Sequence, residues 1–134
     1  MQYEISAYAK EGFQCQHNLN YWQFGDYLGI GCGAHGKVTQ VESNKILRTV
    51  KIKHPKGYLA ADDYTFETTT VEEEDRPLEY LMNRLRLITA IPKVEFEQRT
   101  GLERSVISQG IAQACAKGLM TQSQEHWQLT PKGH

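Results

Sequence analysis

The chain has 134 residues, 40% of them hydrophobic and 23% charged, enough for one ordinary domain or two small units with a packed core. Its formal net charge of −1 argues against a protein held to nucleic acid by electrostatics. No apolar run approaches a membrane span and no charged-then-apolar leader opens the sequence, so the sparse set Cys15, Cys32 and Cys115 predicts a reduced, cytoplasmic protein.

Tyr3–Tyr8 is rich in aromatic and β-branched residues and predicts a strand. The next distinctive stretch is His17-Asn18-Leu19-Asn20-Tyr21-Trp22. As a helix it places His17 and Tyr21 on one face at i, i+4, with Asn18 and Trp22 beside them. Alternatively, Asn18 caps a short helix. A neutral imidazole next to flat aromatic surface suits an iron porphyrin. One ring nitrogen ligates iron, an amide fixes the other, and the aromatics cover the macrocycle. The competing reading is a histidine whose hydrogen bonds are simply satisfied.

Tyr27–Gly31 is a short apolar run ending in glycines, the pattern of a buried strand that stops at a site. Gly29-Ile30-Gly31-Cys32-Gly33-Ala34-His35-Gly36 lacks the spacing of the dinucleotide fingerprint. It reads either as a cofactor rim with freed backbone groups at the top of a barrel or as a tight turn. Cys32 is a thiolate ligand in one view and a small buried residue in the commoner one. Cys15-x-His17 with Cys32-x-x-His35 invites tetrahedral zinc, but the first pair is too close for zinc-finger spacing. Val38–Val41 and Ile46–Ile52 predict a hairpin across residues 42–45, with Lys51 and Lys53 on one face, solvated rather than binding an anion.

Residues 54–76 read as a connector, with turn chemistry at His54-Pro55-Lys56-Gly57 and an acidic run at Glu72-Glu73-Glu74-Asp75. Pro77 then opens a helix with an apolar stripe of Leu78, Leu81, Met82, Leu85 and Ile88. Pro92 opens a second helix, ending near Gly101, and a third carries Ile107, Ile111, Ala114 and Cys115 on one face before stopping at Gly118. Leu119–Thr121 and Trp127–Thr130 predict a hairpin, and three helices followed by a hairpin is the order of a winged helix. Residues 77–134 hold seven Lys/Arg against five Asp/Glu, too slight an excess for phosphate contact, so a small docking module is preferred to a DNA reader. The abrupt start in a strand and the close on Thr130-Pro131-Lys132-Gly133-His134, which reads as the lead-in to a further element, predict a piece of a longer protein.

Tyr3-Glu4-Ile5-Ser6-Ala7-Tyr8-Ala9, Cys15-x-His17-Asn18-Leu19-Asn20-Tyr21-Trp22 and Asp26-Tyr27-Leu28-Gly29-Ile30-Gly31-Cys32-Gly33-Ala34-His35-Gly36 together resemble the C-terminal part of the HemW-type family. These are radical S-adenosylmethionine proteins related to oxygen-independent coproporphyrinogen III oxidase. Gly118-Leu119 and Leu129-Thr130-Pro131-Lys132-Gly133 extend the resemblance to the other end, and the His-Asn-x-x-Tyr-Trp block is its most specific element.

The resemblance implies an α+β piece: terminal strands of a radical S-adenosylmethionine (β/α) partial barrel over 1–53, a connector over 54–76, and a winged-helix-like unit over 77–134. It implies haem at His17, Asn18, Tyr21 and Trp22, with His17 on the iron. It implies an S-adenosylmethionine-facing rim at Gly31, Gly33, Ala34 and His35. Its implied partners are a haem-accepting client protein and the missing N-terminal barrel half. The family's Cys-x-x-x-Cys-x-x-Cys motif, which holds a [4Fe–4S] cluster and S-adenosylmethionine, is absent here. The fragment alone is therefore expected not to be catalytic. The expected function is haem delivery. The rivals are a coproporphyrinogen III oxidase, acting in porphyrin biosynthesis, and a docking module in which His17 packs and nothing binds.

Overall fold

The computed structural model describes all 134 residues. In chain order its elements are β1 (Gln2–Glu4), β2 (Ala7–Tyr8), α1 (Gln16–Trp22), β3 (His35–Gln40), β4 (Lys45–Lys51), α2 (Pro55–Ala60), β5 (Thr65–Thr70), α3 (Arg76–Arg84), β6 (Ile91–Pro92), α4 (Lys93–Thr100), a 3-10 turn (Arg104–Ile107), α5 (Ser108–Ala116), β7 (Met120–Gln122) and β8 (His126–Leu129). The fold is mixed α/β. The chain forms two compact units: Met1–Phe24 with Glu73–His134, and Gly25–Glu72.

In the first unit the expected Tyr3–Tyr8 strand is broken at Ile5-Ser6 into β1 and β2, which pair antiparallel. Glu4 is buried and bridges Leu87, so β1 also lies against the segment that follows α3. The core is an aromatic ladder in which Phe24, Tyr80, Phe96 and Trp127 meet edge to face in succession, at centroid separations of 6.0, 5.3 and 6.3 Å. That geometry aims the positive ring edge at the negative face of the next ring. Phe24 sits in the left-handed region at φ 61°, directly after α1, and its buried ring ties the end of that helix into the ladder.

The helix expected to open at Pro92 is present as α4 and ends on Gly101 in the left-handed conformation at φ 69°, and the expected third helix is present as α5, except that Ile107 lies in the 3-10 turn before it. The hairpin β7–β8 gains β6 as a third strand, giving the order β6-β8-β7.

Helix α3 departs from its expected orientation. Its buried positions are Arg76, Tyr80 and Arg84, while Leu78 and Met82 of the apolar stripe are exposed. The inward polar groups are supplied with partners, which is the condition for burying them. Arg84 Nε donates to Glu95 Oε1 at 2.8 Å, its Nη2 to the Ala90 carbonyl at 2.7 Å, and Arg76 Nη1 to the Thr100 carbonyl at 3.0 Å. Tyr80 Oη donates to the same Glu95 oxygen at 2.7 Å. Burial and the adjacent Glu95 carboxylate hold the Tyr80 phenol far above its ordinary range. The outward stripe leaves a groove of about 510 Å³ whose lining includes Ile5, Leu78, Leu81, Met82, Leu85 and Leu129.

The second unit is an antiparallel meander, β3-β4-β5. The predicted hairpin is confirmed at its expected place, with Gln40 opposite Lys45. Three expectations change here. The 54–76 segment is folded rather than a connector, since β5 completes the sheet against β4 and α2 precedes it. Lys53 lies beyond the end of β4 and does not share a strand face with Lys51. Neighbouring strands run antiparallel, not in the parallel order of barrel strands; the four-residue β3–β4 link is too short for a crossover, and the longer β4–β5 link, which carries α2, also returns antiparallel.

The predicted strand at Tyr27–Gly31 reduces to one bridge, Tyr27 with Lys37, and Leu28 and Ile30 are exposed. The bridge is held by Asp26. Its carboxylate accepts from the Thr39 amide and hydroxyl, both at 2.8 Å, and pairs with the buried Lys37 ammonium at 3.1 Å. Partial burial pushes the Asp26 carboxyl upward, but the Thr39 bonds and Lys37 outweigh it and hold its pKa below the ordinary 3.8. A lowered folded-state pKa means stability present above the unfolded value and lost as pH falls through the folded one. Asp26→Asn is therefore expected to flatten the acid limb of the stability–pH curve below about pH 4. At neutral pH it should cost about 2 kcal/mol, discounted for the exposed carboxylate. Denaturant melts across pH 2–7 check both (roughly the range spanning the carboxyl titration).

Gly29 has no room for a side chain, because a Cβ there would sit 2.6 Å from the His35 carbonyl oxygen. Gly29→Ala is expected to cost roughly 1–3 kcal/mol by overpacking, read as a lower thermal midpoint.

Candidate functional site

Helix α1 carries the residues that sequence reasoning favoured. It is helical from Gln16 to Trp22 with Cys15, not Asn18, at the N-cap position, so Asn18 lies inside the first turn. The i, i+4 spacing brings His17 and Tyr21 together edge to face at 5.0 Å, and Tyr21 meets Trp22 at 6.5 Å. His17 is exposed, whereas Asn18, Tyr21 and Trp22 are half-buried. The arrangement is a free-facing imidazole on one edge of a short aromatic patch, not a core histidine.

Sequence reasoning missed what stands behind that patch. The Arg86 guanidinium lies over the Trp22 ring, 4.4 Å from its centroid. Arg86 Nη2 pairs with Glu4 Oε1 at 2.6 Å, and Arg86 Nε finds no hydrogen-bond acceptor. Glu4 is buried, and its other oxygen accepts from the Ser6 amide and hydroxyl, both at 2.9 Å. Burial raises the Glu4 pKa, but the Ser6 bonds and Arg86 outweigh it and hold the group ionised below the usual carboxylate range. A lone carboxylate at position 4 and a lone arginine at position 86 carry no sequence signal of each other.

The glycine segment belongs to the second unit. Its expected freed backbone groups are not free. The Gly31 amide donates to Tyr58 Oη at 3.2 Å, the Gly33 amide to the Ile52 carbonyl at 2.9 Å and the Ala34 amide to the Gly31 carbonyl at 3.2 Å. Gly31 and Gly33 both have positive φ, so the run is a tight turn by its own geometry. His35 is exposed at the start of β3, and Cys32 is exposed rather than buried. No group of three or more His, Cys, Asp or Glu gathers to hold a metal ion.

Of the seven basic residues in 77–134, Arg84, Arg86 and Arg104 are each paired with a carboxylate. No helix is long and apolar enough to cross a membrane.

Residues 71–134 match the HemN C-terminal domain family. Over 132 residues, 98% of this chain, the sequence is 53% identical to proteins named heme chaperone HemW in Escherichia coli and in Haemophilus influenzae. The chain is therefore similar to HemW proteins over nearly all of its own length. It spans about a third of the length of those HemW relatives, 34% in each case. A solved structure of the E. coli coproporphyrinogen III oxidase HemN, described as a radical SAM enzyme, overlaps 81% of this chain and 26% of its own at 15% identity and TM-score 0.49. That likeness is too slight to carry function.

Proposed function

We propose that this chain, similar to HemW proteins, is the haem-handling part of a haem chaperone, taking up haem through His17 and passing it to a client protein. The exposed His17 imidazole set against Tyr21 on α1 carries this reading. His17 supplies the nitrogen ligand to the iron of the cargo. Tyr21 and Trp22 cover one side of the macrocycle, and Asn18, one residue on, offers an amide to the second ring nitrogen or a propionate. Apolar burial near 25 cal/mol per Å² supplies much of the affinity, and because the site is an open surface, a competing ligand on a client reaches the iron without unfolding the helix.

The chaperone names of the HemW relatives support this reading over the oxidase one. In such a protein S-adenosylmethionine and the [4Fe–4S] cluster belong to polypeptide outside these 134 residues. There the Gly31, Gly33, Ala34 and His35 turn forms a rim toward S-adenosylmethionine, with the exposed His35 side chain as its most available group. The helix order and the β6-β8-β7 sheet support a winged-helix-like reading of 77–134, used for docking. Three free cysteines suit the reducing cytoplasm as the place of work.

The test is a haemin titration of the chain followed by visible absorbance. Saturable binding at one haem per chain with a shifted Soret band is expected, and a linear, non-saturating response overturns the reading.

A further inference from the structure

The helix that carries His17 has seven residues, no buried position and no side-chain cap. A helix that short is not stable on its own, so its aromatic face keeps its direction only through contacts made elsewhere. Phe24 fixes the end of α1 but not the rotation of the indole at Trp22. Besides its chain neighbour Tyr21, that indole is faced by the Arg86 guanidinium, and Arg86 in turn is held by Glu4.

Glu4 is fixed on three sides. Its carboxylate accepts two bonds from Ser6 and pairs with Arg86, and its backbone bridges Leu87. The Ile5 amide donates to the Arg86 carbonyl at 3.0 Å, which locks β1 to the segment holding the arginine. From this fixed carboxylate a line of contacts runs to Arg86, to Trp22, to Tyr21 and to His17. The planar guanidinium serves two purposes at once, an ion pair through one edge and a stack through its face.

We propose that Glu4 and Arg86 are positioning residues for the haem face of α1, setting the Trp22 ring plane and through it the Tyr21–His17 pair; this rests on the haem reading above. Neither needs to touch haem. Together they convert a short, poorly supported helix into a face with one orientation, which lowers the ordering cost of binding.

Arg86→Lys is the discriminating variant. A lysine keeps a positive charge beside buried Glu4 but has no planar face for Trp22. It is expected to retain its thermal midpoint while haemin affinity falls about tenfold, the lower end of what loss of an orienting partner costs a metal ligand. In ¹⁵N-labelled chain the Trp22 indole N–H signal, assigned with Trp22→Phe, should move and broaden, and that of buried Trp127 should stay. Glu4→Gln with Arg86→Met, which leaves no buried charge unpaired, should weaken haemin to a similar degree. Unchanged haemin affinity in both variants, or an unmoved Trp22 signal in Arg86→Lys, overturns the positioning role. No haemin binding by the unmodified chain overturns the haem reading instead, and the indole signals then still decide whether Arg86 sets Trp22.

Discussion

His17→Ala should weaken haemin binding by at least about tenfold, or ~1.4 kcal/mol, and displace the Soret band. The effect is read on the ligand and not on folding, because His17 is exposed and its ring touches Tyr21 at an edge. Substitutions at such positions generally change stability by no more than about 0.5 kcal/mol. An imidazole–iron bond is also specific in a way that apolar burial is not, so residual haemin on the variant should show the spectrum of a differently ligated iron. His35→Ala serves as the matched control. It removes another exposed imidazole, from the other compact unit, and should leave haemin affinity and spectrum where they were. Equal losses in the two variants, or none in either, remove His17 as the ligand.

Arg84→Ala should destabilise the first unit by about 3–5 kcal/mol. Arg84 is 2% exposed and serves Glu95, Ala90 and Thr89 together. Its loss strands a carboxylate that Tyr80 alone cannot satisfy, in the middle of the ladder that also holds Phe24 and thereby α1. For a unit of this size the thermal midpoint should fall by roughly 15–25 °C. Haemin binding should fail along with it, through unfolding. The double variant Arg84→Met with Glu95→Leu should recover a large part of the lost stability, because a buried ion pair is often replaceable by apolar groups of similar volume. Circular dichroism melts of the single and double variants check this. A single variant that melts within a few degrees of the unmodified chain contradicts the assigned role.

The hairpin β3–β4, helices α4 and α5 and the β7–β8 pair were legible in the sequence, because each rests on a local signal: alternation, a proline start, a glycine stop. Helix α1 was legible as a helix with His17 and Tyr21 on one face, because the i, i+4 spacing is itself local. Helix α3 was visible as a helix but not in its orientation. Hydropathy ranks Leu78 and Met82 as core and Arg76 and Arg84 as surface. The ranking fails where distant acceptors, the Thr100 and Ala90 carbonyls and Glu95, complete the arginine hydrogen bonds. Asp26 with Lys37, and Glu4 with Arg86, are likewise pairs that only the folded chain brings within reach. The Tyr27–Gly31 stretch has the composition of a buried strand, but its neighbour β3 takes its two other pairings from β4 and the Asp26 clamp, and beyond Tyr27 the ladder stops.

The inverted α3 carries a practical lesson for anyone engineering this chain for solubility. A polarity-guided scheme would keep its leucines and neutralise its arginines, and would thereby dismantle the interior while leaving the sticky side untouched. Glutamine or glutamate at positions 78 and 82, where the side chains are 62% and 67% exposed, is the change that should improve behaviour at high concentration with little loss of melting temperature.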